Sequence, residues 1–198
     1  MKKLTIKQLK QIEKELTNIF NSATNNEISR GLNWYSDANI ICNDLATKYN
    51  VDVYKVASVI SALSPRNKWE RNIKDAETVI KAHNIGLPAE AVRVSTFHSN
   101  KFKAFNILKG NTTITDTSLK TFNFVHNMAY LDSNSLTIDI WHLRGCFNKK
   151  IKIDSATIGR IAYGQIKELT LNLANKLGIK GYELQAIIWV ATQRQYNN

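Results

Sequence analysis

Two residues in this sequence have the type and setting for amine chemistry on an electrophilic carbon. Lys120 follows a polar turn, Thr115-Asp116-Thr117-Ser118. It starts a run in which Phe122, Phe124, Val125, Met128 and Ala129 recur at roughly helical spacing. Asp139 follows a short apolar run, Leu136 to Ile138, and stands where an N-cap would, ahead of Ile140, Trp141, His142 and Leu143. The lysine thus opens one helix and the aspartate opens the next. The sequence between them holds a helix and a return loop, so the two side chains could meet at neighbouring helix N-termini. A lysine amine attacks only when neutral, a form favoured by burial and by the positive end of a helix dipole. A carboxylate at the next N-terminus could take up a proton or stabilise a developing cation.

The stretch resembles the catalytic core of the helix-hairpin-helix DNA glycosylases. There, Leu-x-Gly-x-Gly-x-Lys-Thr is followed by an apolar helix and then by Val-Asp-x-His-x-x-Arg. The matching residues are Leu119-Lys120-Thr121 and Ile138-Asp139-Ile140-Trp141-His142-Leu143-Arg144, with a looser match at Ile60-Ser61-Ala62-Leu63-Ser64-Pro65. The likeness covers roughly residues 30–195 and is greatest to small, divergent, phage-type members. It implies that Lys120 forms a Schiff base and that Asp139 is the essential aspartate. It implies substrate contacts from Ser64 and DNA contacts from Ser118, Thr121, His142 and Arg144, with His142 supporting either Asp139 or the DNA backbone. One departure stands out. The family's hairpin glycines fall at positions 116 and 118, where this chain has Asp116 and Ser118. Glycine permits positive φ and close approach of backbone N–H groups to phosphate, whereas the aspartate charge repels it.

Two further stretches could touch a nucleic acid. The segment after Pro65 carries Arg66, Asn67, Lys68, Trp69 and Arg71, and cations interleaved with an aromatic suit phosphate contact and base stacking. In the family, the equivalent loop faces the DNA. Near the C-terminus, Gln185 and Trp189 lie one helical turn apart in an apolar run. The amide could pair with a base edge and the indole could stack on it. The run resembles the Gln-Ala-x-x-aromatic segment with which oxidised-purine glycosylases hold a flipped base. The alternative for this pair is plain core packing.

Composition sets the outer limits. A net charge of +11 attracts polyanions, and DNA is the expected partner. Two cysteines, Cys42 and Cys146, lack metal-ligand spacing and read as buried free thiols, which excludes a four-cysteine iron–sulfur cluster. The four histidines include no close metal pair. No metal or other cofactor is expected. No apolar run approaches the roughly 18 residues of a membrane span, and the basic N-terminus lacks the apolar segment of a signal peptide. The expectation is a cytoplasmic monomer, in the host cytoplasm if phage-encoded.

Only two prolines and eight glycines interrupt the 198 residues, which favours helices. Helices are expected at 3–21 with Thr5 as cap, about 36–49 capped by Ser36, 53–63 capped by Asp52, 69–83 and 99–109 ended by Gly110. Later helices should run from an Asp154-Ser155 cap to Tyr163, from Thr170 to Leu177, and through 181–194. Residues 21–27 read as a loop, and 145–154 as an irregular excursion or short strand pair. The helix at 53–63 is apolar nearly all round and should be central. The expected fold is all-α, a single glycosylase-like domain over 1–198. It would have two helical lobes with a central cleft, a core at about 30–195 and a peripheral N-terminal helix. The expected function is a DNA glycosylase with AP-lyase activity. The alternatives are a same-fold enzyme of phage DNA base hypermodification and an inactive helical DNA-binding module.

Overall fold

The first two helices are set by reciprocal caps. Thr5 accepts the Gln8 backbone N–H at 3.3 Å, while the Gln8 side chain accepts the Thr5 N–H at 2.9 Å. Two donors that the helix leaves free are satisfied at once, and α1 (Ile6–Ser22) begins there. Thr24 and Glu27 repeat the device: the Thr24 N–H reaches Glu27 Oε2 at 2.8 Å and the Glu27 N–H reaches Thr24 Oγ1 at 3.3 Å. That second cap starts α2 (Asn25–Tyr49) well before Ser36, so the expected loop at 21–27 shrinks to a short break and Ser36 lies inside the helix. The computed structural model describes residues 3–148 and 158–197.

The chain divides into two units, one made of Met1–Asp37 and Leu131–Asn198, the other of Ala38–Tyr130. The first holds α1, the start of α2, α7 (Ile140–Phe147), α8 (Arg160–Lys176) and α9 (Gly181–Asn197). Here α1 packs on α7, α8 and α9 and buries Ile12, Leu16 and Ile19. Its remaining residues are exposed or half-buried, so it contributes one apolar face to this unit's core, as expected of an outer helix. Gly31 explains how α2 meets α9. A Cβ at this position would lie 2.6 Å from the Ile187 Cα, a backbone atom that cannot move aside. The glycine is there for helix–helix contact, not for a turn.

The second unit holds the rest of α2, α3 (Val53–Leu63), α4 (Trp69–Asn84), a 3-10 turn (Ala89–Ala91), α5 (His98–Lys109) and α6 (Leu119–Tyr130). Asp52 caps α3 by accepting the Lys55 N–H at 3.1 Å. Every residue from Val56 to Leu63 is buried, and α3 packs against α4, α5 and α6. This is the central helix its composition requires. Gly110 takes φ +77° at the end of α5, the left-handed conformation that stops a helix.

The described residues are all-α, with no strand and no helix long and apolar enough to cross a membrane. Residues 145–147 belong to α7 rather than to an excursion, and Asn148 ends that helix at φ +41°; residues 149–154 of the expected excursion and the Asp154-Ser155 cap lie outside the described residues. The two helices expected around Tyr163 and Thr170 are one continuous α8, because Ala162, Tyr163, Ile166, Thr170, Leu173 and Ala174 bury a single unbroken face. Cys42 and Cys146 are both buried free thiols. Burial pushes the Cys42 thiol up to about 12 and raises that of Cys146 as well, so neither is a ready nucleophile. Among the described residues no group of three His, Cys, Asp or Glu side chains could hold a metal ion.

Candidate active site

In the second unit, Lys120 is positioned by the turn before α6. The Tyr54 hydroxyl on α3 donates to the Ile114 carbonyl at 2.7 Å and pins the entry to this turn. The Ser118 N–H then closes on the Thr115 carbonyl at 3.2 Å, and the Ser118 hydroxyl donates to Thr121 Oγ1 at 3.1 Å. Neither Asp116 nor Ser118 takes positive φ, so the turn closes without the conformation that the family's glycines supply. Farther along α6, Phe122, His126 and Tyr130 form an aromatic side with Tyr54, whose ring stacks on Tyr130 at 18°. Lys120 itself is exposed in the first helical turn and makes no ion pair among the described residues.

In the first unit, Asp139 is held by the segment before α7. The Tyr163 hydroxyl donates to the Leu136 carbonyl at 2.7 Å and accepts the Ile138 N–H at 3.2 Å. This clamps the buried run that delivers Asp139. Its Oδ1 accepts the His142 N–H at 2.9 Å, the capping bond expected from its place in the sequence. Tyr35 of α2 lies fully buried in the same neighbourhood and donates to Gln185 Oε1 at 2.9 Å. Burial is the main influence raising its phenol pKa. The Asp139 charge pushes the same way, and a hydrogen bond with Thr137 opposes it.

The family model described as a family of unknown function (DUF7178) matches residues 1–196. The chain belongs to this family. No curated protein and no solved structure matches it.

In this member of the family of unknown function (DUF7178), the two expected catalytic residues fall in different units, Lys120 in the second and Asp139 in the first. Several expected contact residues are committed inside their own unit. His142 is fully buried, so its side chain offers no surface to DNA, against expectation, and only its backbone N–H supports Asp139. Its Nε2 lies 3.3 Å from Thr170 Oγ1, and the Thr170 hydroxyl donates to the Ile166 carbonyl. The Thr170 oxygen is therefore the acceptor and Nε2 carries the proton. Gln185 is buried with its carbonyl taken by Tyr35, and half-buried Trp189 meets Trp34 edge-on at 5.9 Å. The Gln185 carbonyl therefore has an intramolecular partner, the buried Tyr35 of the same unit. The Ser64 hydroxyl donates to the Ser61 carbonyl at 2.9 Å in the last turn of α3. Asn67 turns its amide inward to Asp75 at 2.9 Å, so it is a loop clamp and not the DNA contact expected of it. Arg144 stacks on Trp141 at 4.2 Å and Tyr196 at 5.5 Å. Arg66, Lys68 and Arg71 are exposed, and Trp69 opens α4 half-buried. Two open clefts of the first unit, of about 520 and 580 Å3, are lined by neither Asp139 nor Gln185.

Sequence reasoning gave Tyr35 no role. Its signal was present: Gly31, Tyr35, Ala38, Cys42 and Leu45 fall at helical spacing and are all buried once α2 is taken back to Asn25.

The buried histidine has a measurable consequence. Burial holds the His142 imidazole down at about 4, against an ordinary value near 6.5. Between these values the unfolded chain binds a proton that the folded chain refuses, so stability must fall as pH falls through this window. The full loss is roughly 3 kcal/mol. Denaturant titrations from pH 8 to pH 4 should therefore show a downward slope that His142→Gln flattens. Identical slopes in both proteins would mean that His142 is accessible to protons in the native state.

Proposed function

We propose that this protein acts on DNA as a glycosylase with AP-lyase chemistry. The observation that carries the reading is the Lys120 amine, which is exposed in the first turn of α6 and free of any ion pair among the described residues. Its motif resembles that of the Schiff-base glycosylases. The neutral amine forms a bond to the anomeric carbon, and the base leaves with the electron pair of the glycosidic bond. In the motif that the chain resembles, the aspartate matching Asp139 supplies negative charge, either to take the amine proton or to stabilise the cationic sugar. Support for the DNA partner comes from the cations Arg66, Lys68 and Arg71, which are exposed and paired with no carboxylate among the described residues.

A second reading, a DNA-binding module without chemistry, is favoured by Gln185, whose carbonyl already accepts the Tyr35 hydroxyl. A panel of oligonucleotides bearing oxidised, deaminated, alkylated or abasic sites separates the two. The glycosylase reading requires release of a free base, and a borohydride-reducible adduct on at least one substrate. Binding without either result leaves the module reading in place. Affinity for duplex DNA should fall with a log–log salt slope of about −0.9 per phosphate neutralised. Arg66→Ala and Arg71→Ala should each shallow that slope by about one. A flat salt dependence would overturn both readings.

A further inference from the structure

Pro65 and Arg66 hold the centre of a turn closed by the Asn67 N–H on the Ser64 carbonyl at 3.1 Å. Arg66 sits at φ +56°, in the position that type II turns normally give to glycine. Glycine would fit there without strain, so placing a long cation there needs an account. The arginine's guanidinium lies 5.6 Å from the centroid of the Phe97 ring, within reach of a cation–π contact. Phe97 stands just before α5 and is 52% exposed, unusual for so large an apolar ring.

The two segments are tied together. Thr96 Oγ1 donates to the Pro65 carbonyl at 3.0 Å. Behind them the Asp75 carboxylate, itself buried, accepts the Asn67 amide at 2.9 Å and the Ser95 N–H at 2.8 Å. The Asn100 and Lys101 N–H groups both donate to the Phe97 carbonyl and fix its backbone. An exposed aromatic ring and its arginine are thus preorganised on a rigid base. Exposed Lys68, Arg71 and Arg93 lie on the same two segments, with Glu70 and Glu90 as the exposed acids nearby in sequence.

We infer that Phe97 and Arg66 form a nucleobase-stacking site in which the ring carries an unpaired base and the arginine serves the adjoining phosphate. The inference rests on the nucleic-acid reading above and adds to it a preference for strands whose bases are unpaired. A ring offers a flat face to any base, so the site reads stacking and not sequence.

The test compares two single-stranded oligonucleotides of equal length and charge, one of thymidines and one of abasic tetrahydrofuran units, by fluorescence anisotropy with the full chain. Wild type should bind the thymidine strand more tightly. Phe97→Ala should lose about fivefold to a hundredfold on that strand and little on the abasic one. Phe97→Leu keeps the apolar bulk but not the ring; it should behave like Phe97→Ala while retaining the wild-type melting temperature. Arg66→Ala should weaken both strands. Equal losses on the two strands in Phe97→Ala, or full affinity in Phe97→Leu, would overturn the stacking site alone. Failure of wild type to bind either strand or duplex DNA would overturn the nucleic-acid reading with it.

Discussion

Lys120→Gln should form no covalent complex with abasic DNA under borohydride, where the wild-type chain cross-links. Reduction traps only a carbon–nitrogen double bond, and a glutamine amide cannot form one with the sugar aldehyde. The substitution is mild in every other respect. Lys120 is exposed, and glutamine matches lysine closely in helix propensity, so stability should change by less than about 0.5 kcal/mol. The lost charge should weaken DNA binding only slightly, since the remaining surface cations are untouched. Mass spectrometry of the wild-type adduct should place the modification on Lys120. A cross-link of undiminished yield in Lys120→Gln would remove this residue from the chemistry and leave it a surface cation at a helix start.

Asp139→Asn should reduce base release by about two to four orders of magnitude while leaving the fold intact. Asparagine caps a helix as well as aspartate does, so the bond from the His142 N–H is kept while the charge is lost. Asp139→Ala loses both, and should in addition cost about 0.5–2 kcal/mol of stability through the missing cap. Measuring both variants separates the two roles that this carboxylate could have. Full activity in Asp139→Asn together with destabilised Asp139→Ala would show a helix cap and nothing more.

What the sequence determined by itself is local. Thr5, Asp52 and Asp139 have the types and offsets of caps, and each accepts the backbone N–H that such a cap must satisfy. The run from Val56 to Leu63, apolar except for Ser58 and Ser61, is buried throughout, because two small serines give such a helix no polar face to turn to water. The Thr24–Glu27 cap was equally legible and would have moved the start of α2, since its reciprocal bonds need only two residues three apart.

Tertiary structure decided where the polar side chains point. A glutamine on an apolar helix must find a partner, but sequence cannot say whether that partner is a base or Tyr35, far away along the chain. The motif histidine could have faced DNA or the core; the fold places it in the core beside Thr170 of α8, and burial holds it neutral. Nothing local marked Asp75 as the buried carboxylate that joins two loops, because its partners Asn67 and Ser95 lie on either side of it in the chain and meet only in the fold. Periodicity fixes which face of a helix is buried; which side chains meet there depends on helices brought together from distant parts of the chain.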